Sequence, residues 1–296
     1  MQKLRLASAF ALGLAICSYT PQSGAVKVTR DSDAAPTPAV AKPAISKPQP
    51  LPDLPKLTAA EIADKNAQAR GGLQTWRAVK AIKMTGRLDA GGKQDTLLPF
   101  TLEVKRPNKE RLEVEFAGQT AVQVYDGKAG WTYRPYLGRT APEPFSPDEL
   151  RQSASQRELD GYLIDYAAKG IKLSLDGTDT VDGRPCYRLL VTTKDGTKRH
   201  VWVDGSSFLE AKIEGEPVRF DGKMHQVETV LTDYRMVDGL RIAFTVETRL
   251  QGVRASHKLL IDNVVLNPKI DEVAFGKPIV TAALTSSAKL PVAKKK

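Results

Sequence analysis

From Ile82 onward the apolar residues recur at every second position: Ile82, Met84 and Leu88, with Gly86 in the same register. The alternation returns at Phe100, Leu102 and Val104, at Leu112, Val114 and Phe116, at Val122 and Val124, and at Trp131 and Tyr133. A period of two puts such residues on one face of a strand. Seven later stretches read the same way: Ile171 to Leu175, Cys186 to Thr193, Arg199 to Val203, Phe208 to Ile213, Val227 to Arg235, Ile242 to Leu250 and Ser256 to Val265. Eight Asp-Gly pairs punctuate the chain, and Asp-Gly tolerates the positive φ that tight hairpins need. Helical signals are few. Thr58 with Glu61 forms a capping box, and that helix runs through Ile62 and Ala67 to Gly71-Gly72. A short second piece carries Leu73, Trp76 and Val79 on one face. Ser146-Pro147-Asp148-Glu149 starts a third helix, which is expected to end near Asp160-Gly161.

The order helices, strands, helix, strands contains no βαβ alternation, so a parallel sheet is disfavoured. About eleven strands with one apolar face each cannot remain an open flat sheet. They must curl, pack or close, and only short helices are available as cover. The expected class is mainly β (α+β): a strongly curved antiparallel sheet, a half-closed barrel with helices across its mouth. Periodicity is compatible with either a packed or a hollow interior.

The ends read differently from this body of residues 57–277. Lys3 and Arg5 precede an uncharged run of 11 residues, Leu6 to Ile16, the anatomy of an export signal. Cleavage after Ser23-Gly24-Ala25 would leave a soluble mature chain. Leu14-Ala15-Ile16-Cys17 supplies a second reading, a lipobox with Cys17 acylated, weakened by the bulk of Ile16. The expected domains are therefore a signal peptide (1–25), a linker (26–56), the body and a tail (278–296). Seven of the 19 prolines lie in residues 31–55, which suits a semi-extended linker without a core. The tail ends Lys294-Lys295-Lys296, and the functional reading of those lysines is weak attraction to anionic lipid headgroups, against a solvated tail. The formal net charge of +10 comes chiefly from these ends, leaving the body nearly balanced. No strong positive field is focused on the globular part, and nucleic acid is not an expected partner.

Catalytic and metal signals are missing from the pattern. His200, His225 and His257 share no ligand spacing, two scattered cysteines give no zinc motif, and no G-x-S-x-G elbow exists. Glu103, Glu113 and Glu115 alternate with apolar residues, which is the signature of a solvated outer face. Cys186 reads as a small buried apolar residue. Neither catalysis nor a metal or cofactor is expected, and an apolar interior without chemistry points to binding.

Two segments carry a family resemblance. Val104-Lys105-Arg106-Pro107-Asn108-Lys109 leads into a strand, and Val124-Tyr125-Asp126-Gly127-Lys128-Ala129-Gly130-Trp131-Thr132-Tyr133-Arg134-Pro135 follows about twenty residues on. Together they resemble the periplasmic lipoprotein carrier LolA and the wider set of LolA-like outer-membrane lipoprotein-sorting proteins. The linker and lysine tail are additions to that family's compact pattern. The resemblance implies a hollow half-barrel of about eleven strands under a helical lid, holding lipoprotein acyl chains or other lipids. It implies a periplasmic monomer that receives cargo from an inner-membrane donor and passes it to an outer-membrane acceptor. It places the family's functional arginine at Arg106, where a guanidinium before a proline can latch the lid through its carbonyls. The expected cavity lining is Met84, Leu88, Phe100, Leu102, Val104, Leu112, Val114, Phe116, Trp131 and Tyr133. Envelope-stress sensing, or a structural envelope role with a packed core, is the alternative use of the same shell.

Overall fold

The structure is a computed structural model that describes residues 5–7, 16–18, 54–91, 97–154, 159–253 and 256–280. The expected signal segment and most of the linker and tail lie outside the described residues, apart from two short strands, Arg5–Ala7 and Ile16–Ser18, that pair with each other. Helix α1 (Ala59–Ala69) opens on the capping box read from sequence. Thr58 Oγ1 accepts from the Glu61 amide at 3.2 Å, and the Glu61 carboxylate accepts from the Thr58 amide at 2.7 Å. Just past the helix, at Gly71, the Gly239 turn comes too close for a side chain. A Cβ there would sit 2.2 Å from the Gly239 carbonyl, at a φ of +108°. Helix α2 (Leu73–Ala78) follows and buries Trp76 against the core.

Fifteen strands belong to the body. The first six are β1 (Ala81–Asp89), β2 (Leu97–Lys105), β3 (Lys109–Phe116), β4 (Gln119–Tyr125), β5 (Gly130–Tyr133) and β6 (Glu143–Pro144). Helix α3 (Pro147–Ala154) comes next, then β7 (Lys172–Val181), β8 (Arg184–Thr192), β9 (Lys198–Asp204) and β10 (Glu210–Glu214). A separate hairpin, β11 (Val218–Phe220) with β12 (Lys223–His225), precedes β13 (Val227–Val237), β14 (Leu240–Leu250) and β15 (Ser256–Leu266). Thirteen of them form one antiparallel sheet in the order β6-β5-β4-β3-β2-β1-β15-β14-β13-β10-β9-β8-β7. The sheet is strongly curved and does not close, since β6 and β7 are both edges. The half-open barrel expected from the alternation is thus the observed fold.

The turns follow the sequence. Asp182-Gly183 and Asp238-Gly239 are two-residue connections with both φ angles positive, the geometry that matches strand twist. The N-terminal and C-terminal halves meet at one seam, where β1 pairs with β15. There the register shifts between Ile261 and Asn263, and a Cβ on Gly86 would lie 2.1 Å from the Leu260 carbonyl. Close backbone approach at this irregularity explains the glycine in a strand interior.

Helix α3 keeps its capping box, with Glu149 accepting from the Ser146 amide at 2.7 Å; its described part is Pro147–Ala154, and the residues between it and the expected end near Asp160 lie outside the described residues. Residues 159–170 run as consecutive turns. Three successive residues there, Tyr162, Leu163 and Ile164, are all buried, which one face of a helix cannot achieve. Positive φ at Gly161, Asp165 and Gly170 also breaks any regular helix. This crossing segment, with α3, links the two sheet edges. What the expectation lacked is the strands β6, β11 and β12, each of three residues or fewer and too short to show a period.

Candidate functional site

The register of the first strands determines what faces the interior. Met84 pairs with Leu102 and Leu102 with Leu112, while Ile82 pairs with Val104 and Val104 with Glu110. Those rows share the concave face. The intervening positions face outward, where Lys83 meets Glu103 at 2.9 Å and Arg111 meets Glu113. From the second half, Ile213, Leu231, Ile242, Val246, Leu259 and Ile261 complete the apolar wall. Between these walls lies a cavity of about 160 Å³. It is comparable to an engineered apolar cavity of about 150 Å³ that admits benzene, and smaller than the roughly 300–1,000 Å³ of ordinary ligand pockets.

Charged residues also border the cavity: Arg70 and Glu210 at one end of β10, Arg199, Glu214 and Glu216 toward its other end, and Glu110 and Arg241 from β3 and β14. Arg70 stacks over the Trp76 ring at 4.4 Å and pairs with Glu210 at 3.5 Å. Arg199 pairs with Glu216 at 2.7 Å and lies over the Tyr162 ring at 5.2 Å. Glu214 accepts from the His200 amide at 2.9 Å.

Arg106 lies just after β2, two residues beyond the cavity-lining Val104. Its Nε donates to the Val79 carbonyl at 3.0 Å, at the end of α2. Its Nη2 donates to Asp160 Oδ2 at 2.6 Å, in the crossing segment. Asp160 is only 2% exposed and is also gripped by Lys169. Its carbonyl accepts from Arg70 Nη1 at 2.7 Å. Arg77 holds the same segment through two bonds of 2.8 Å to Asp165, and the guanidinium keeps that carboxyl below its ordinary range. The segment, whose Leu159, Gly161 and Tyr162 line the cavity, is therefore tied down by Arg70 at the end of α1, Arg77 in α2 and Arg106 after β2.

The ten residues expected to line the cavity are distributed unevenly. Met84, Leu102 and Val104 border it. Leu88, Phe100 and Leu112 are buried in the core around it, and Val114 packs partly buried against that core. Phe116 meets Tyr136 edge-on at 5.4 Å, away from the cavity. Trp131 is half-buried opposite Val124 and Pro144, and Tyr133 is buried, but neither borders the cavity. The reason is position in the sheet. β4 to β6 carry the chain on to an edge, where Phe145 packs so tightly on Gly130 that a Cβ there would lie 2.1 Å from its ring.

These charged lining residues were absent from the sequence expectations. A signal for some of them existed: Arg199 alternates with Val201 and Val203, and Glu110 alternates with Leu112 and Val114, so both charges stand on the apolar face. Arg70 and Glu210 carry no such mark. Among the described residues no group of three or more His, Cys, Asp or Glu side chains is arranged to hold a metal ion, and no helix is long and apolar enough to cross a membrane.

No family model matches the chain, and no curated protein matches it. Among solved structures it is similar to a LolA superfamily protein from Nitrosomonas europaea, at 15% identity and a TM-score of 0.48, covering 74% of this chain and 97% of that one. It is similar to an outer membrane lipoprotein-sorting protein domain from Vibrio parahaemolyticus, at 14% identity and a TM-score of 0.47, covering 74% and 96%. A DUF1329 family protein from Desulfovibrio piger is similar at 14% identity and a TM-score of 0.49, covering 73% and 96%.

Proposed function

We propose that this protein is a lipid-chain carrier of the bacterial envelope, holding the acyl chain of a lipid or lipoprotein in the concave cavity and passing it to an acceptor. The observation that supports this most is a largely apolar-walled cavity of about 160 Å³ bordered by a segment that Arg106 ties down. The cavity is too small for a long acyl chain while the segment is down. Entry therefore requires the crossing segment to lift, which breaks the bonds of Arg106, Arg70 and Arg77 to it.

That coupling makes release feasible. Burying a methylene is worth about 0.8 kcal/mol, so a sixteen-carbon chain represents on the order of 12 kcal/mol of gross transfer energy. A pocket that retained all of it would not let go. Closing the segment restores charge-assisted bonds and offsets part of that energy, so empty and loaded states compete. In this reading Arg106 is the latch, and the mature chain works outside the cytoplasm after export. It is either freed by cleavage after Ala25 or anchored through Cys17. Lys294, Lys295 and Lys296 give it a weak hold on anionic membrane.

The test is transfer of an acylated peptide from the purified protein to acceptor vesicles. Arg106→Leu should fold, take up the peptide and deliver it at least several-fold more slowly. Delivery at the wild-type rate would remove the latch, and failure of the wild type to take up any acylated peptide would remove the carrier.

A further inference from the structure

The concave face carries one polar row in an apolar wall. Across β13, β14 and β15, Leu231 pairs with Val246 and Val246 with Leu259, and all three border the cavity. Two residues along each strand, on the same face, Thr229 pairs with Thr248 and Thr248 with His257. The row beyond is apolar again, where Val227 pairs with Leu250. Thr229, Thr248 and His257 are 4%, 8% and 4% exposed, and Thr229 itself borders the cavity. The polar row is thus the next step of the cavity wall, about 7 Å along the strands from Leu231, Val246 and Leu259.

His257 is the unsatisfied member of the row. Its Nδ1 and Nε2 are both buried and neither has a hydrogen-bond partner. The other histidines differ: His200 Nδ1 meets Glu214 at 2.7 Å, and His225 Nδ1 meets the Gln251 carbonyl at 2.9 Å. Unpartnered buried polar atoms are rare, and a ring with two of them forfeits both bonds it makes to water in the unfolded chain. The Thr248 side chain stands directly opposite, about 5 Å away between Cβ atoms. A polar group reaching this pair from the cavity completes both.

The ring decides the chemistry of that group. Burial holds it below the ordinary histidine pKa, against the pull of Asp89. At pH 7 it is neutral, with one N–H donor and one bare nitrogen. On this face its neighbours in the sheet are Val246, Thr248, Leu250 and Leu259, while Glu247, Arg249 and Lys258 stand on the outer face and pair with one another. A carboxylate would therefore be desolvated with no cation beside it in the sheet, and would add to the charge of Asp89. A carbonyl alone accepts from the N–H and leaves the bare nitrogen empty. A carbonyl with a hydroxyl a few atoms away satisfies both nitrogens.

We propose that Thr248 and His257 form the head-group subsite of the cavity, and that it takes an uncharged ester head carrying a free hydroxyl, as a monoacylglycerol does. The inference rests on the carrier reading and names its ligand class. The hydroxyl donates to the bare ring nitrogen, and the ester carbonyl accepts from the ring N–H or from Thr248. The tail runs along β15 over Leu259 and Ile261, both in the cavity wall.

Three probes with one twelve-carbon acyl chain test it on the full chain: 2-hydroxyethyl dodecanoate, propyl dodecanoate and dodecanoate. The two esters have the same shape and differ by a hydroxyl in place of a methyl. Titrations are followed by NMR of protein labelled with ¹⁵N in its histidine rings, with His200 and His225 as references. The hydroxy ester should bind about fivefold tighter than the more apolar propyl ester and shift the His257 nitrogens, with dodecanoate weakest. His257→Leu should reverse the ranking of the two esters, whereas lost packing weakens both alike. The wild-type ranking and the His257 shift decide the matter even if that variant fails to fold. A propyl ester bound as tightly, dodecanoate bound tightest, or a hydroxy ester bound without moving His257 would overturn the inference while leaving a carrier. Binding of none of the three would overturn the carrier and the inference with it.

Discussion

Asp160 is the residue on which the closure converges. Its carboxylate lies between Arg106 and Lys169, and its carbonyl serves Arg70. Removing Arg106 leaves Asp160 paired with Lys169, whereas Asp160→Ala leaves cations facing each other in a buried place. Asp160→Ala should therefore destabilise by about 3 kcal/mol, clearly more than Arg106→Leu, in urea unfolding. The reverse order would show that Arg106 and not Asp160 is the hub. His257 makes a second prediction. It stands on the same face as Leu259 and Ile261, buried, with both ring nitrogens unpartnered. Burial pushes its pKa below the ordinary histidine value, although the Asp89 charge pulls upward. The unfolded chain then takes up this proton at higher pH than the folded one. Its contribution is intact above the ordinary pKa of about 6.5 and erodes as pH falls below that toward the depressed folded value. His257→Leu should flatten the fall in urea midpoint between pH 7.5 and 5; an unchanged slope would refute this. At this scale the sequence was partly legible. Cys186 is buried as expected, with its thiol pushed up to about 11 by desolvation. Arg70 and Glu210 were not legible, because a cation after a helix and an acid at a strand end look like ordinary surface residues.

Elements were easier to read than residues, because their signals are local. Period-two alternation marked twelve of the strand stretches, and capping boxes marked the starts of α1 and α3. Losing the hydroxyl in Thr58→Ala should cost about 1 kcal/mol of stability, while Thr58→Ser should keep most of it. Thermal or urea unfolding checks both, and equal losses in the two variants would count against the cap. The seam between β1 and β15 is the more demanding element. It is the one pairing that unites the two halves of the sheet, and Gly86 permits it. Gly86→Ala should cost about 2 kcal/mol through backbone displacement. A neutral substitution there would mean that the strands sit farther apart than described. What the alternation could not show was the crossing segment. Its three adjacent buried residues follow neither period, and only the fold reveals that the segment brings Leu159, Gly161 and Tyr162 to the cavity.

At the scale of the whole molecule, curvature turns a set of amphipathic strands into a container. An open sheet this large needs cover, and three short helices with one turn-rich segment supply it. The half-barrel followed from pattern and cover alone. The cavity did not, since periodicity says which residues face inward but not whether they meet in the middle. Only Met84, Leu102 and Val104 of the expected lining reach the space left over. The methionines offer a direct check on whether a hydrocarbon tail enters there. Met84 borders the cavity, while Met224 and Met236 are 58% and 59% exposed and serve as internal references. Methyl NMR of methionine-labelled protein, titrated with an acyl amide carrying a nitroxide on its chain, reads the tail's position. The account predicts strong broadening of the Met84 methyl with Met224 and Met236 spared. Equal broadening of all three, or an unaffected Met84 with the probe bound, would contradict it.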